Sequence, residues 1–138
     1  MSAIFFYRIG RYCYLKNIPL VPKVMYALSY LIFHCVLPAT AVLGKGVKLG
    51  YGGLGVVIHA RAKIGDNVVV AQQVTIGGRS RKYEVPIIED GAYIGAGARV
   101  LGPVRVGRNS VVGANAVVVK DVPEGATVVG VPAKQIVR

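Results

Sequence analysis

At 138 residues the chain has room for one domain and a short appendage. Its hydrophobic share of 54% and mean hydropathy of +0.53 call for a continuous apolar core together with a buried oligomer interface or membrane contact. The net charge is +11, and residues 1–63 hold eight Lys or Arg and no acid, which suits an anionic surface, substrate or phosphate group. Nucleic acid is set aside as a partner, because no nucleic-acid motif is present and the aromatics do not interleave with the basic run.

Residues 3–16 read as an amphipathic helix, with aromatic and aliphatic residues on one side and Arg8, Arg11 and Lys16 on the other. Pro19 and Pro22 break the chain, and Pro22 suits the first turn of a second helix over 23–37, which Pro38 stops. That helix, at about fourteen residues, is short of the roughly twenty a bilayer span needs. Capping of the next element and interfacial contact with a membrane are the two roles open to residues 1–40, and they are compatible.

From Val42 a period of six begins at Leu43 and Leu49, then slips by three through Gly50-Tyr51-Gly52-Gly53-Leu54-Gly55. From Ile58 to Val122 it locks: an aliphatic residue recurs at 58, 64, 70, 76, 88, 94, 100, 106, 112 and 118, failing only at 82. Small or β-branched residues follow four places on, with Gly, Asn, Asp or Ala between. A helical period near 3.6 does not fit six, and plain alternation does not fix Gly and Asn at set offsets. Such a repeat predicts an all-β fold, a parallel β-helix in which each hexad makes one short strand and one corner. Residues 41–124 are its expected extent, three hexads to a coil of eighteen. The polar, basic segment 79–86 replaces a hexad and should leave the coil as a loop. Residues 125–138 form a tail.

With eighteen residues per coil, Ile58-His59-Ala60, Ile76-Gly77-Gly78, Ile94-Gly95-Ala96 and Val112-Gly113-Ala114 should stack on one corner. Three of them carry Gly and Gly or Ala, leaving a strip of bare backbone suited to a thin ligand with amide groups, such as a pantetheine arm. The fourth carries His59, placed to act as a general base on a hydroxyl. The other histidine, His34, falls in the apolar second helix as a packed residue. One coil histidine does not make a three-histidine zinc site, so no metal is expected. No Ser–His–Asp or Cys–His set is readable. Cys13 and Cys35 lack metal-ligand spacing and stay reduced, which fits cytosol, and Arg8, Arg11 and Lys16 interrupt any leader-like run.

Across residues 42–138 the chain resembles the hexapeptide-repeat acyltransferases, in the serine O-acetyltransferase-like branch that includes capsule and exopolysaccharide acetyltransferases. The residues that carry the resemblance are Gly55-Val56-Val57-Ile58, Gln73-Val74-Thr75-Ile76-Gly77-Gly78, Ile94-Gly95-Ala96-Gly97-Ala98, Gly113-Ala114-Asn115-Ala116-Val117-Val118 and Gly130-Val131-Pro132-Ala133-Lys134. It implies a left-handed coil, against the right-handed rule for ordinary parallel crossovers. It also implies a homotrimer with a site between neighbouring prisms and acetyl-coenzyme A along the corners. Gly77, Gly78, Ala96 and Ala114 would contact the pantetheine, while Lys120, Lys134 and Arg138 would meet phosphate or adenine.

Two departures stand out. The family's catalytic histidine precedes the Gly-Ile-Val-Val segment, a place that falls near Gly50-Tyr51 here, so either His59 has taken the role or Tyr51 participates. The 79–86 loop lacks the family's second histidine, and the long N-terminal helical domain is missing. The first reading is therefore acetyl transfer to a hydroxyl of a surface-polysaccharide sugar or its precursor, in the cytoplasm or at the inner face of the membrane. Serine O-acetylation and amino-sugar N-acetylation are the alternatives. A non-catalytic β-helix binding membrane or anionic polymer is the alternative of another class.

Overall fold

A computed structural model describes residues 2–137. Two helices, α1 (Ala3–Leu15) and α2 (Val21–Phe33), precede a coil of short strands. Those strands are β1 (Val42–Leu43), β2 (Lys48–Leu49), β3 (Val57–Ile58), β4 (Lys63–Ile64), β5 (Val69–Val70), β6 (Thr75–Gly77) and β7 (Ile87–Ile88). They continue as β8 (Tyr93–Ile94), β9 (Arg99–Leu101), β10 (Arg105–Val106), β11 (Val111–Val112), β12 (Val117–Val118), β13 (Thr127–Val129) and β14 (Lys134–Gln135).

The strands form three walls of a prism. Wall one is β1-β4-β7-β10, wall two β2-β5-β8-β11-β13-β14, and wall three β3-β6-β9-β12. All pairings are parallel except β13 with β14, which turns back antiparallel. The repeating aliphatic residue of each hexad points inward, giving one buried column per wall. Ile64, Ile88 and Val106 make the first, Val70, Ile94 and Val112 the second, and Ile58, Ile76, Val100 and Val118 the third. Burying each such side chain contributes about 1.5–3 kcal/mol, which is how strands of two residues hold together.

Between walls one and two, every coil turns through a residue of positive φ. These are Gly46 (+70°), Asn67 (+56°), Gly91 (+73°), Asn109 (+56°) and Gly125 (+73°). Asn tolerates the left-handed region and Gly adopts it freely, which explains the Gly and Asn at fixed offsets.

Coil length departs from eighteen in three places, the last being the final coil, where Val112 pairs with Val128 sixteen residues on. Leu49 pairs with Val70, twenty-one residues on, because Gly50–Gly53 form an extra 3-10 turn; the slip of three in the sequence is this turn. Ile64 pairs with Ile88, twenty-four residues on. Segment 79–86 therefore adds a hexad outside the coil rather than replacing one within it, and the predicted row at spacing eighteen is broken. Ile76 stacks under Val100 on wall three, and Ile94 belongs to wall two.

The helices also differ from expectation. α2 stops at Phe33, where His34 turns left-handed (φ 52°) and donates its N–H to the Tyr30 carbonyl. Pairing wins over helix propensity here: Val36 bridges to Val57 and extends wall three. His34 is thus an exposed C-cap rather than a packed helix residue. Nor do Arg8 and Arg11 face outward as a charged side. Arg8 donates to the carbonyls of Leu43 (3.0 Å) and Gly44, and Arg11 to that of Ala39 (3.1 Å). The Tyr7 hydroxyl donates to the Ala41 carbonyl and accepts from the Leu43 N–H. α1 is therefore a lid on the first coil, fixed by side-chain bonds to otherwise open backbone carbonyls.

Candidate functional site

The broken row separates the expected site residues onto two edges of the prism. One edge runs between walls three and one. There His59 follows β3, Gly77 ends β6 with Gly78 after it, and, two coils further on, Lys120 follows β12. The other runs between walls two and three, where Tyr51, Gln72, Ala96 and Ala114 follow β2, β5, β8 and β11 at equal offsets. Backbone bonds tie this second edge together: Gly97 N–H to Gln72 O (3.0 Å) and Asn115 N–H to Ala96 O (2.8 Å). Gly78 therefore does not line up with Ala96 and Ala114 within one chain. Lys134 is exposed on β14, beside Val129 at the end of wall two, and Arg138 lies outside the described residues.

His59 is half-buried. Its Nδ1 accepts a hydrogen bond from the Arg61 backbone N–H at 3.0 Å. In the neutral ring the proton then resides on Nε2, so the imidazole presents a donor outward and its one lone pair is engaged. In this geometry His59 accepts the turn's N–H, and action as a general base would require that bond to be given up. The ring lies over Gly78: a Cβ there would sit 3.8 Å from His59 Cδ2 and 3.8 Å from Val85 Cγ1. That is ordinary van der Waals contact, and Gly77 is as roomy, its nearest neighbour being Thr75 Cγ2 at 3.5 Å. The fold does not require glycine at 77 or 78. Gly95 differs, since a Cβ there would meet Ala114 N at 2.7 Å and Val112 O at 2.8 Å.

Tyr51 is 79% exposed, with left-handed backbone (φ 50°) inside the 3-10 turn. Sequence reasoning overlooked Arg61, which holds the 79–86 loop against the His59 edge. Its Nη2 donates to the Tyr83 carbonyl (2.6 Å) and its guanidinium lies over the Tyr83 ring, 4.1 Å from the centroid. A cation two places after the corner histidine and an aromatic in the loop were the available signal. Cys35 is fully buried, and burial pushes its thiol up to about 12, which removes it from nucleophilic chemistry. Among the described residues no three His, Cys, Asp or Glu side chains converge as metal ligands would.

A coil of this geometry, with small residues and open backbone along its edges, defines a hexapeptide-repeat transferase fold of the left-handed type. Residues 86–120 match the family model described as bacterial transferase hexapeptide (six repeats). A serine acetyltransferase of Synechococcus elongatus is 36% identical over 139 residues, covering 99% of this chain and 57% of its own. One from Helicobacter pylori J99 is 33% identical, covering all of this chain and 81% of its own. The solved serine acetyltransferase of Brucella abortus, in complex with coenzyme A, superposes with a TM-score of 0.90 at 36% identity, over 97% of this chain and 54% of that one.

The chain belongs to the serine acetyltransferase family. It spans less than two thirds of the length of the first relatives, at 57% and 64%.

Proposed function

We propose that the chain transfers an acetyl group from acetyl-coenzyme A to a hydroxyl, with serine as acceptor, and that it does so as a homotrimer. The relatives' names favour serine, the alternative raised from the sequence, over the polysaccharide sugar placed first. The observation that carries the reading is the pair of edges. Ala96 and Ala114 give one of them small side chains over which a pantetheine arm can lie. Gly77 and Gly78 leave backbone open on the other, where the fold itself has no need of glycine. A groove between neighbouring prisms, as the family resemblance implies, lets one subunit's Tyr51–Ala96–Ala114 edge face the next subunit's His59–Gly78 edge. Lys120 and Lys134, both exposed, supply cations for the phosphates.

In the reaction the acceptor oxygen attacks the thioester carbonyl, the C–O bond forms and the C–S bond breaks. The proton lost by the hydroxyl ends on the departing sulfur. Backbone N–H groups of the edges suit the oxyanion. Two side chains stand at the reactive end: the Tyr51 phenol, where the family resemblance places a catalytic histidine, and the His59 imidazole. His59 can take the proton only by giving up its bond from Arg61, which favours Tyr51's edge as the place of proton transfer.

The test is thiol release from acetyl-coenzyme A with L-serine, sugars and amino sugars as acceptors, and the product checked by mass for one acetyl group. Serine-dependent release supports the reading. Release with a sugar alone replaces the acceptor, and no release with any acceptor leaves the chain a non-catalytic β-helix.

A further inference from the structure

The outer helix is apolar on the side turned away from the protein. α2 packs against α1, with Gly10 close to Met25 and Phe6 6.1 Å from Phe33, and Ser29 is its one buried residue. Val24 is 50% exposed and Leu31 69%, two turns apart on one face of α2, and Leu20 at its N-cap is 70% exposed. At the turn between the helices Leu15 is 61% exposed as well. Exposed Lys16 and Lys23 bracket this turn, and no carboxylate precedes Asp66 in the chain.

We infer that the α1–α2 hairpin is a docking surface for an anionic lipid bilayer, with α2 lying flat in the headgroup region. Charge decides between this occupant and a second copy of the same face. Two hairpins brought together would set Lys16 and Lys23 of each against cations of the other, with no acid on either to offset them. An anionic bilayer offers those cations phosphates and the exposed apolar residues an acyl boundary. α2, at 13 residues, is about 20 Å long, and no helix among the described residues is long and apolar enough to cross a membrane. The inward use of Arg8 and Arg11 leaves the hairpin's outer face apolar with lysines at its turn, a pattern of surface binding. This inference does not depend on the transfer reaction.

The experiment is flotation of the whole chain with vesicles of pure phosphatidylglycerol and of pure phosphatidylcholine. Binding to the first, weakened by salt, and little to the second is expected. Leu20→Glu with Leu31→Glu should lower binding roughly a hundredfold or more while the melting temperature and oligomeric state hold. A charge-matched control, Lys82→Gln with Arg108→Gln, should bind as the parent does. The inference is overturned if the parent ignores phosphatidylglycerol, or if the control loses as much binding as the leucine variant. It is also overturned if the leucine variant splits the oligomer in the absence of lipid, which would make a second copy the occupant.

Discussion

Asn109 Oδ1 fills the space that a Cβ on Gly91 would need. The two residues stand one coil apart on the same corner, both left-handed, and the Asn109 N–H reaches back to the Asp90 carbonyl at 3.0 Å. The same fit joins Gly46 to Asn67 there, and Gly97 to Asn115 on the edge between walls two and three. Gly91→Ala should therefore cost about 3 kcal/mol, from left-handed strain plus the clash. Gly125→Ala, with nothing within 4 Å of the new methyl, should cost only about 1 kcal/mol. Urea unfolding checks both, and Asn109→Gly should rescue part of the Gly91→Ala loss if the clash is real.

His59→Asn is the informative change at the imidazole. Asn accepts the N–H two residues on, as His59 does, so the fold should keep its stability, whereas His59→Ala should lose about 1 kcal/mol. If the ring is a turn cap, serine-dependent thiol release by His59→Asn stays within a few-fold of the parent. A drop of about a hundredfold or more would restore it as the general base.

Tyr51→His places an imidazole where the family resemblance expects the catalytic one. At 79% exposure the position accepts the change without repacking. Turnover is expected to rise by about tenfold or more, read as kcat at saturating acceptor. A fall in rate would locate the proton transfer elsewhere.

Gly78→Ala separates ligand from fold. The methyl fits, so thermal stability should change by less than about 0.5 kcal/mol. The KM for acetyl-coenzyme A should rise about tenfold, equivalent to about 1.4 kcal/mol of binding. An unchanged KM would remove this edge from the cofactor groove.

High pH should loosen the helix–coil junction. Burial raises the Cys35 thiol from 9.0 to about 12 and also raises the Tyr7 phenol, which the Leu43 N–H, Arg11 and Arg8 partly oppose. Both groups stay protonated in the fold while the unfolded chain ionises. Their stabilisation is thus complete below the unfolded pKa and lost as pH climbs through the folded one. For the thiol the loss is about 1.4 kcal/mol per pH unit between 9.0 and about 12. Urea midpoints at neutral and alkaline pH should diverge in the parent, and the gap should narrow in Cys35→Ala, leaving the Tyr7 share.

The prism was legible because one physical requirement, an inward aliphatic side chain every six residues, repeats from Ile58 to Val118. The glycine slip at 50–55 was also readable, since it shifts the phase by three. The site was harder to place. An excursion of a whole hexad leaves the phase untouched, so the sequence alone does not distinguish a hexad replaced at 79–86 from one added there. That ambiguity moved Ala96 and Ala114 to an edge remote from Gly78. The hydrogen bond at His59 was hidden for a different reason: which imidazole nitrogen is engaged depends on where the Arg61 N–H points. The end of α2 at Phe33 rests on the pairing of Val36 with Val57, a contact that local propensity does not encode.

A solenoid built from parallel strands offers raw backbone at both extremities, and identical molecules could in principle stack head to tail through it. Here α1 closes one extremity through Tyr7, Arg8 and Arg11, and at the other β14 folds back against β13 in the opposite sense. Each end of the described coil thus lacks the open parallel edge that head-to-tail growth would require.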